Sequence, residues 1–553
     1  MRKIILDKSV RAAFLGLLCL AVTSCKKNKD IEISTPAPTT PVISAATGTR
    51  AQLTQDSIFL YAKQVYLWHT ALPSYDAFNP RQFAGTLDGF DQELYMLTQY
   101  SPQNPSTGLP YEYTGTAGSA KYSYIDDIST HNVIAAVKDV KSSVDLEGIG
   151  NDFGLKLGAY GAGSANQYSI YVQAVYQGSP ADLKGLTRGA VITKINGTAY
   201  GANYDNESAA VNNALNASSV TVAGVLKDGI TAFSYTLTKT TYKSSPIYSA
   251  KVLSVSGAKV GYLAYARFSN LDNSKAGFDA AFADFAAQGV TKLVIDLRYN
   301  GGGYVNTAEY LVNLIAPSSL TGQVMVKKRY NTLMQTGTAD IMKNQPLYDD
   351  NGDFELITEN NVKRVANYTD LSKDYFSEAK QVTNFSKKGP LQGVTDVVFI
   401  VTKNTASASE LVINSLKPYL NVKIVGTNSY GKPVGFFPIT IDYKLDAASK
   451  KETGYDVYYS MFQTTNSKGE GDYYNGFTPD LSVTSDDASH DFGDLSENNL
   501  ARALSLIITG PLTSGSVSMS IRGTRVNASS ITVKALRDGA EFNGMIADRP
   551  KLR

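Results

Sequence analysis

The chain has 553 residues, 43% of them hydrophobic, enough apolar side chain for several cored domains. Its formal charge is only +2, and near-neutrality argues against a nucleic-acid partner, which wants a basic face. Three histidines (His69, His131, His490) and two cysteines form neither a His-Glu-x-x-His nor a cysteine-pair pattern, so no metal or other cofactor is expected.

Arg2, Lys3, Lys8 and Arg11 precede an apolar run from Ala12 to Val22. A run of this length is too short for a span needing about 20 residues, so residues 1–24 read as an export signal. Val22-Thr23-Ser24-Cys25 resembles a bacterial lipobox, which implies cleavage before Cys25 and lipidation of its thiol. That places the mature chain in the cell envelope, lipid-anchored on the periplasmic or cell-surface side of a membrane, with the outer membrane favoured. An ordinary secretory leader with an incidental cysteine is the alternative. The leader holds four basic residues and Asp7, a net +3, so the remainder stands at −1 against +2 for the whole. Cys19 leaves with the leader, and no disulfide is expected. Residues 25–49, charged from Lys26 to Asp30 and proline-rich from Ser34 to Pro41, read as the lipidated cysteine and a flexible tether.

Residues 50–145 open on a helical pattern of Ile58, Ala62, Val65, Tyr66 and His69, with Trp68 on its flank, and form an N-terminal, mainly helical domain. His69 is a packing residue on this reading. In 146–242, Gly178-Ser179-Pro180-Ala181 to Ile195-Asn196-Gly197 reads as a turn, a short helix and a strand closed by an Asn-Gly turn. An α/β core follows over 243–510. Phe278, Ala281, Phe282 and Phe285 make an ordinary core stripe on a helix ending at Gly289. Leu293-Val294-Ile295-Asp296-Leu297-Arg298-Tyr299-Asn300-Gly301-Gly302-Gly303 is an apolar strand running into three glycines, with a helix pattern from Ala308 to Ile315. Consecutive glycines let backbone amides turn towards an anion or an oxyanion. A tight strand–helix turn explains the triplet as well, and no Gly-Lys-Ser/Thr follows to make a phosphate loop. Residues 320–393 are polar with few signals and read either as strands flanking the cleft or as an insertion. Residues 511–553 are a C-terminal extension with strand-like alternation at Ser516–Ile521 and Ser530–Val533 and no function legible.

Within the core, Val397–Val401, Leu411–Leu416 and Val422–Val425 read as strand, helix and strand, a unit that is normally parallel. Its two loops, Thr405-Ala406-Ser407-Ala408-Ser409-Glu410 and Tyr430-Gly431-Lys432-Pro433, open at carboxyl ends of neighbouring strands, where open α/β sheets place ligands. A serine at a helix start and a lysine 25 residues on can form a nucleophile and its base. The lysine serves only if burial brings its pKa from about 10.4 towards neutrality; no histidine has a supporting motif. Ser407-x-x-Glu410 is equally a capping box, and as such needs no chemistry.

Asp-Leu-Arg-x-Asn-x-Gly-Gly, Thr-Ala-Ser-Ala-Ser-Glu and Gly-Lys, in this order, resemble the carboxy-terminal processing (tail-specific) serine peptidases. The resemblance implies Ser407 as nucleophile, Lys432 as general base, Glu410 as an accessory residue, and an oxyanion hole from Ala408 and Gly302. Typical members have glutamine four residues after the lysine, where this chain has Phe436, so a hydrogen bond to the lysine must be replaced or lost. Residues 178–197 resemble the PDZ module of the same family, which accepts an extended peptide as an added strand. Two glycine turns between Gly148 and Leu157 compete as the binding loop; Phe153, Gly154 and Leu155 stand as its peptide-binding residues.

The fold class implied is multidomain α/β: helical domain, PDZ-like domain, and a crotonase-like peptidase core. The activity implied is serine endopeptidase action on exported polypeptides near C-terminal tails. Polypeptide substrates and a membrane are the partners, and the oligomeric state is open. The rivals are a catalytically silent peptide- or ligand-binding lipoprotein on the same scaffold, and a hydrolase of some other acyl substrate.

Overall fold

Runs of Val, Ile, Leu and Phe build a six-stranded central sheet in the order Ile247–Val255, Ala258–Tyr265, Lys292–Asp296, Asp396–Val401, Asn421–Gly426 and Leu481–Ser482. The first pair is antiparallel and every later pair parallel. Parallel strands are buried on both faces, which is why their sequences are almost continuously apolar. Alternate residues face opposite layers. Leu293, Ile295, Val397, Phe399 and Val401 share one cluster with Phe282, Val312 and Leu411 of helices Leu271–Ala287, Val305–Ile315 and Ala408–Leu416. Val294, Val398, Ile400 and Val425 pack instead on Leu500, Ala503 and Leu504 of helix Asn498–Ile508. The result is a helix–sheet–helix sandwich, a mixed α/β fold.

This computed structural model describes residues 47–128, 144–162, 166–349, 354–445, 452–508, 518–521, 524–527, 531–536 and 544–552. The leader, Cys25, the tether up to residue 46 and His131 lie outside them. From Gly48 on, the described residues form one compact unit.

Helix Arg50–Val65 starts on a Thr49–Gln52 capping box and stops at Val65, so His69 falls in a separate 3-10 turn rather than in the helix. With helix Leu87–Thr98 it places Ile58, Phe59, Phe90 and Leu94 in the same cluster as Phe436, Ile439 and Tyr458. Residues 50–128 are thus built onto the central core. Their strand Tyr124–Asp127 pairs with Glu452–Tyr458 and brings Tyr122 and Ser123 to the loops at the sheet's end.

Residues 155–238 form an antiparallel sheet, Leu155–Ala162, Tyr168–Val175, Val191–Ile195, Ser219–Val225 and Ala232–Thr238, with helices Pro180–Leu183 and Tyr204–Asn216. Its own core holds Phe153, Leu157, Ile170, Val172, Ile192, Val211, Val222 and Leu237. Arg188 leaves this sheet to pair with Asp486 at 2.8 Å and to donate to the Tyr299 hydroxyl, beside the glycine loop.

Within 320–393, Val324–Tyr330 and Val382–Asn384 join Phe462–Thr465 and Val434–Gly435 in a four-stranded sheet. After helix Asn498–Ile508 come the hairpin Ser518–Ile521/Thr524–Asn527 and the strands Ile531–Leu536 and Gly544–Ile546. Among the described residues no helix is long and apolar enough to cross a membrane.

Candidate active site

Strand Asp396–Val401 runs into a loop fastened to its neighbour: Thr405 Oγ1 donates to Leu297 O at 2.8 Å and Ala406 N to Asn300 O at 3.1 Å. Ser407 then turns the chain into helix Ala408–Leu416 with φ +62° and ψ −110°, a conformation a non-glycine residue adopts only where its surroundings force it. Its hydroxyl is fully buried and has no hydrogen-bond partner. An unsatisfied buried hydroxyl costs about 1–3 kcal/mol, and a serine kept only to cap a helix would not carry that cost. The arm of the capping box that does form is Glu410 Oε2 accepting from Ser407 N at 2.9 Å.

Glu410 does more than cap. Its buried carboxylate also accepts from Lys432 N at 2.8 Å, Gly431 N at 2.7 Å and the Ser429 hydroxyl at 2.6 Å. One side chain thereby fixes the serine turn and the lysine loop together, while Tyr430 N donates to Thr405 O at 2.9 Å as a second tie. Burial raises the Glu410 carboxyl above its ordinary value against these four donors.

Lys432 is 1% exposed. Burial is the main force on its ammonium, with Lys121 adding repulsion and Glu112 and Glu410 opposing, and its pKa falls to about 7. Nζ donates to Tyr122 O at 3.3 Å and stands 4.8 Å above the Phe436 ring. The phenylalanine thus meets the lysine through its ring face, at the position where the sequence reading expects a glutamine. Ser407 Oγ and Lys432 Nζ are not hydrogen-bonded to each other.

The glycine loop lies against the serine. Gly302 has φ +114°, and a Cβ there would stand 3.0 Å from Ser407 Cβ and 2.3 Å from Gly544 O, so only glycine fits. Its N–H donates to Asn300 Oδ1 at 3.0 Å. Ala408 is the first residue of the serine helix, where backbone N–H groups lack intrahelical acceptors. Ser407, Glu410, Lys432, Ala408 and Gly302 are therefore brought to one place.

Phe153, Gly154 and Leu155 lie apart from it, at the start of strand Leu155–Ala162. Phe153 is buried in that sheet's core, its carbonyl accepting from Ala181 N at 3.0 Å, and Gly154 O accepts from Tyr176 N at 3.0 Å. The competing turn is occupied: Ile149–Asp152 pairs with Thr240–Lys243, and Gly148 O accepts from Ser244 N.

Four participants carry no role in the sequence reading. Asn300 is in the quoted motif; its Nδ2 donates to Tyr265 O, and its carbonyl accepts from both Ala406 N and Ser409 Oγ. Tyr122 supplies the acceptor for Lys432, and its hydroxyl donates to Gly431 O at 2.6 Å. Glu112 accepts from Tyr122 N, Ser123 N and the Ser460 hydroxyl. The fourth is the tail strand Gly544–Ile546, paired with Gly302–Tyr304. Among the described residues no cluster of three metal-ligating side chains occurs.

Residues 259–483 match the family model for peptidase family S41. Curated relatives include the carboxy-terminal processing protease CtpB of Bacillus subtilis (strain 168), 22% identical over 364 residues that cover 66% of this chain and 61% of that protein. The probable CtpA-like serine protease of Staphylococcus aureus (strain COL) is 23% identical over 337 residues, 61% of this chain and 54% of that protein. The chain thus spans little more than half the length of these relatives. Among solved structures, it is similar to a putative S41 protease from Bacteroides fragilis NCTC 9343, at 21% identity and TM-score 0.48, covering 81% of this chain and 96% of that one. It is also similar to a photosystem II D1 C-terminal processing protease, at 18% identity and TM-score 0.40, covering 79% and 94%. Through residues 259–483 the chain is similar to peptidase family S41.

Proposed function

We propose that the chain is a serine endopeptidase that hydrolyses exported polypeptides, near C-terminal tails, with Ser407 as nucleophile and Lys432 as base. The observation that carries this reading is the pairing of an unpartnered, strained Ser407 hydroxyl with a buried lysine whose pKa is pushed down to about 7 on one shared carboxylate scaffold. A lysine near neutrality holds a lone pair at physiological pH. It removes the Ser407 proton as the oxygen attacks the peptide carbonyl, and returns it to the leaving amine. The oxyanion is met by the N–H groups of Ala408 and Gly302. In the state described, Lys432 Nζ donates to Tyr122 O and Gly302 N–H to Asn300 Oδ1, so catalysis requires both to exchange partners.

Glu410 is a positioning residue in this scheme. The antiparallel sheet of residues 155–238, with helix Tyr204–Asn216 packed against strand Ser219–Val225, supports the reading of a PDZ-type module that receives substrate tails. Anchoring to a membrane through Cys25 rests on the leader and lipobox alone. A second reading, a silent peptide-binding lipoprotein, is favoured by the unjoined dyad and by Phe436. Turnover of an unstructured polypeptide by wild type, with loss in Ser407→Ala and Lys432→Ala, is the expected result. Binding without turnover in the wild type decides for the silent reading.

A further inference from the structure

The C-terminal extension has no assigned role, yet two of its strands lie in grooves that the proposed function needs. Ile531–Leu536 adds antiparallel to the outer edge of Leu155–Ala162, from Ile531↔Ala162 to Leu536↔Leu157. It also meets helix Tyr204–Asn216: Lys534 Nζ pairs with Asp205 at 3.3 Å and stands 4.4 Å from the Tyr204 ring. Leu536 is buried in the cluster of Phe153, Leu155 and Val211. A strand added to a sheet edge beside a helix, with alternate side chains entering pockets, is how PDZ-type modules hold a peptide.

The second strand crosses the candidate active site. Gly544–Ile546 runs parallel to Gly302–Tyr304, with Gly544 N donating to Gly301 O at 3.1 Å. On its other edge Phe436 N donates to Met545 O at 3.1 Å, and Ala547 N to Phe436 O at 2.9 Å. The tail therefore fills the gap between the glycine loop and the segment following Lys432, bonded by its main chain to both sides. A Cβ on Gly302 would touch both Gly544 O and Ser407 Cβ, so a peptide carbonyl of the tail stands beside the candidate nucleophile. Met545 and Ile546 are buried. Seven residues separate Leu536 from Gly544, so covalent reach alone keeps the two strands within about 30 Å of each other.

We propose that these two grooves form one peptide track and that the C-terminal extension is its resident ligand, which a polypeptide substrate displaces before Ser407 can act. The ligand class is an extended, unstructured polypeptide. It passes Gly302 by its main chain at the Gly544 station and presents two apolar residues in the places of Met545 and Ile546. The kinetic consequence rests on the endopeptidase reading; the binding consequence does not.

The test uses the chain ended after Asn543, with folding checked by circular dichroism. Its kcat/KM on an unstructured polypeptide should rise at least tenfold over the full chain, and a fluorophosphonate probe should label Ser407 correspondingly faster. A synthetic peptide covering Gly544 to Leu552 should bind the truncated Ser407→Ala chain and competitively inhibit the truncated active one. Should truncation unfold the protein, Arg549→Ala decides. Arg549 donates to Thr440 Oγ1 at 3.2 Å and pairs with Asp456 at 3.4 Å, holding the tail without lining the groove. Its loss should raise the labelling rate several-fold, and an unchanged rate overturns the proposal. A folded truncated chain with unaltered kcat/KM and no peptide binding overturns it too, while leaving the endopeptidase reading intact. Peptide binding to a truncated chain that cleaves nothing supports the resident ligand and removes the endopeptidase reading instead.

Discussion

Lys432 carries the sharpest predictions because one number governs its chemistry. Its pKa falls from the ordinary 10.5 to about 7 under burial, so the neutral, basic form grows in as pH rises through about 7. Turnover should follow that limb, and a kcat profile flat from pH 5 to 9 would exclude lysine as base. Lys432→Arg should be inactive at every pH, since a guanidinium stays protonated. The same shift has a stability signature. Between about 7 and 10.5 the unfolded chain binds more protons at this site than the native one, so stability rises with pH across that window. Lys432→Met should abolish this gain; melting temperatures of both proteins at pH 7 and 9.5 give the check. Phe436 modulates the same group. Its ring favours the ammonium by about 2 kcal/mol in this desolvated setting, so Phe436→Leu should move the acid limb down by about one and a half pH units.

The serine turn and the lysine loop form one device at the level of elements, with Glu410 as its fastening. Glu410→Gln replaces one acceptor oxygen by a donor amide facing backbone N–H groups, which costs about 2–4 kcal/mol of stability. It should lower kcat far more than it raises KM. It should also move the acid limb down, because Glu410 is one of the charges that hold the Lys432 pKa up. Much of this device is legible in the chain. Val397–Val401 and Val422–Val425 are apolar runs, and Ser407, Glu410, Gly431 and Lys432 lie within 26 residues, so local pattern places them. The partners that complete the setting are not legible. Tyr122 reaches Gly431 across 309 positions, and its contribution to Lys432 is a backbone carbonyl, which no side-chain motif encodes. Gly544–Ile546 has too few residues for a strand pattern, and what orders it is the groove it occupies. The helical domain expected at 50–145 has a visible first helix, but its apolar face turns out to complete the central core, a tertiary choice the helical period does not record.

The whole molecule is held across its parts by buried charge. Arg298 pairs with Asp296 at 2.6 Å and Glu497 at 2.7 Å, and Asp486 links it to Arg188 of the smaller sheet. The two guanidiniums hold the Asp486 carboxyl well below the usual carboxylate range. Its contribution is therefore complete above the ordinary carboxylate pKa and is lost only as pH falls through the depressed value. Asp486→Asn, which leaves two buried cations underpaired, should cost about 3–5 kcal/mol; denaturant titration at pH 7 measures it, and the loss should shrink in strong acid. The tail strand has a consequence of a different kind. A ligand tethered to its own receptor is present at an effective concentration of about millimolar, whatever the dilution of the protein. Competitors must overcome that figure rather than their own dissociation constant, so brief encounters with passing loops fail. Long unstructured segments, which bind at both ends of the track, succeed. Selectivity is then set by length and disorder as much as by side chains, and it is carried within each molecule regardless of how many copies surround it.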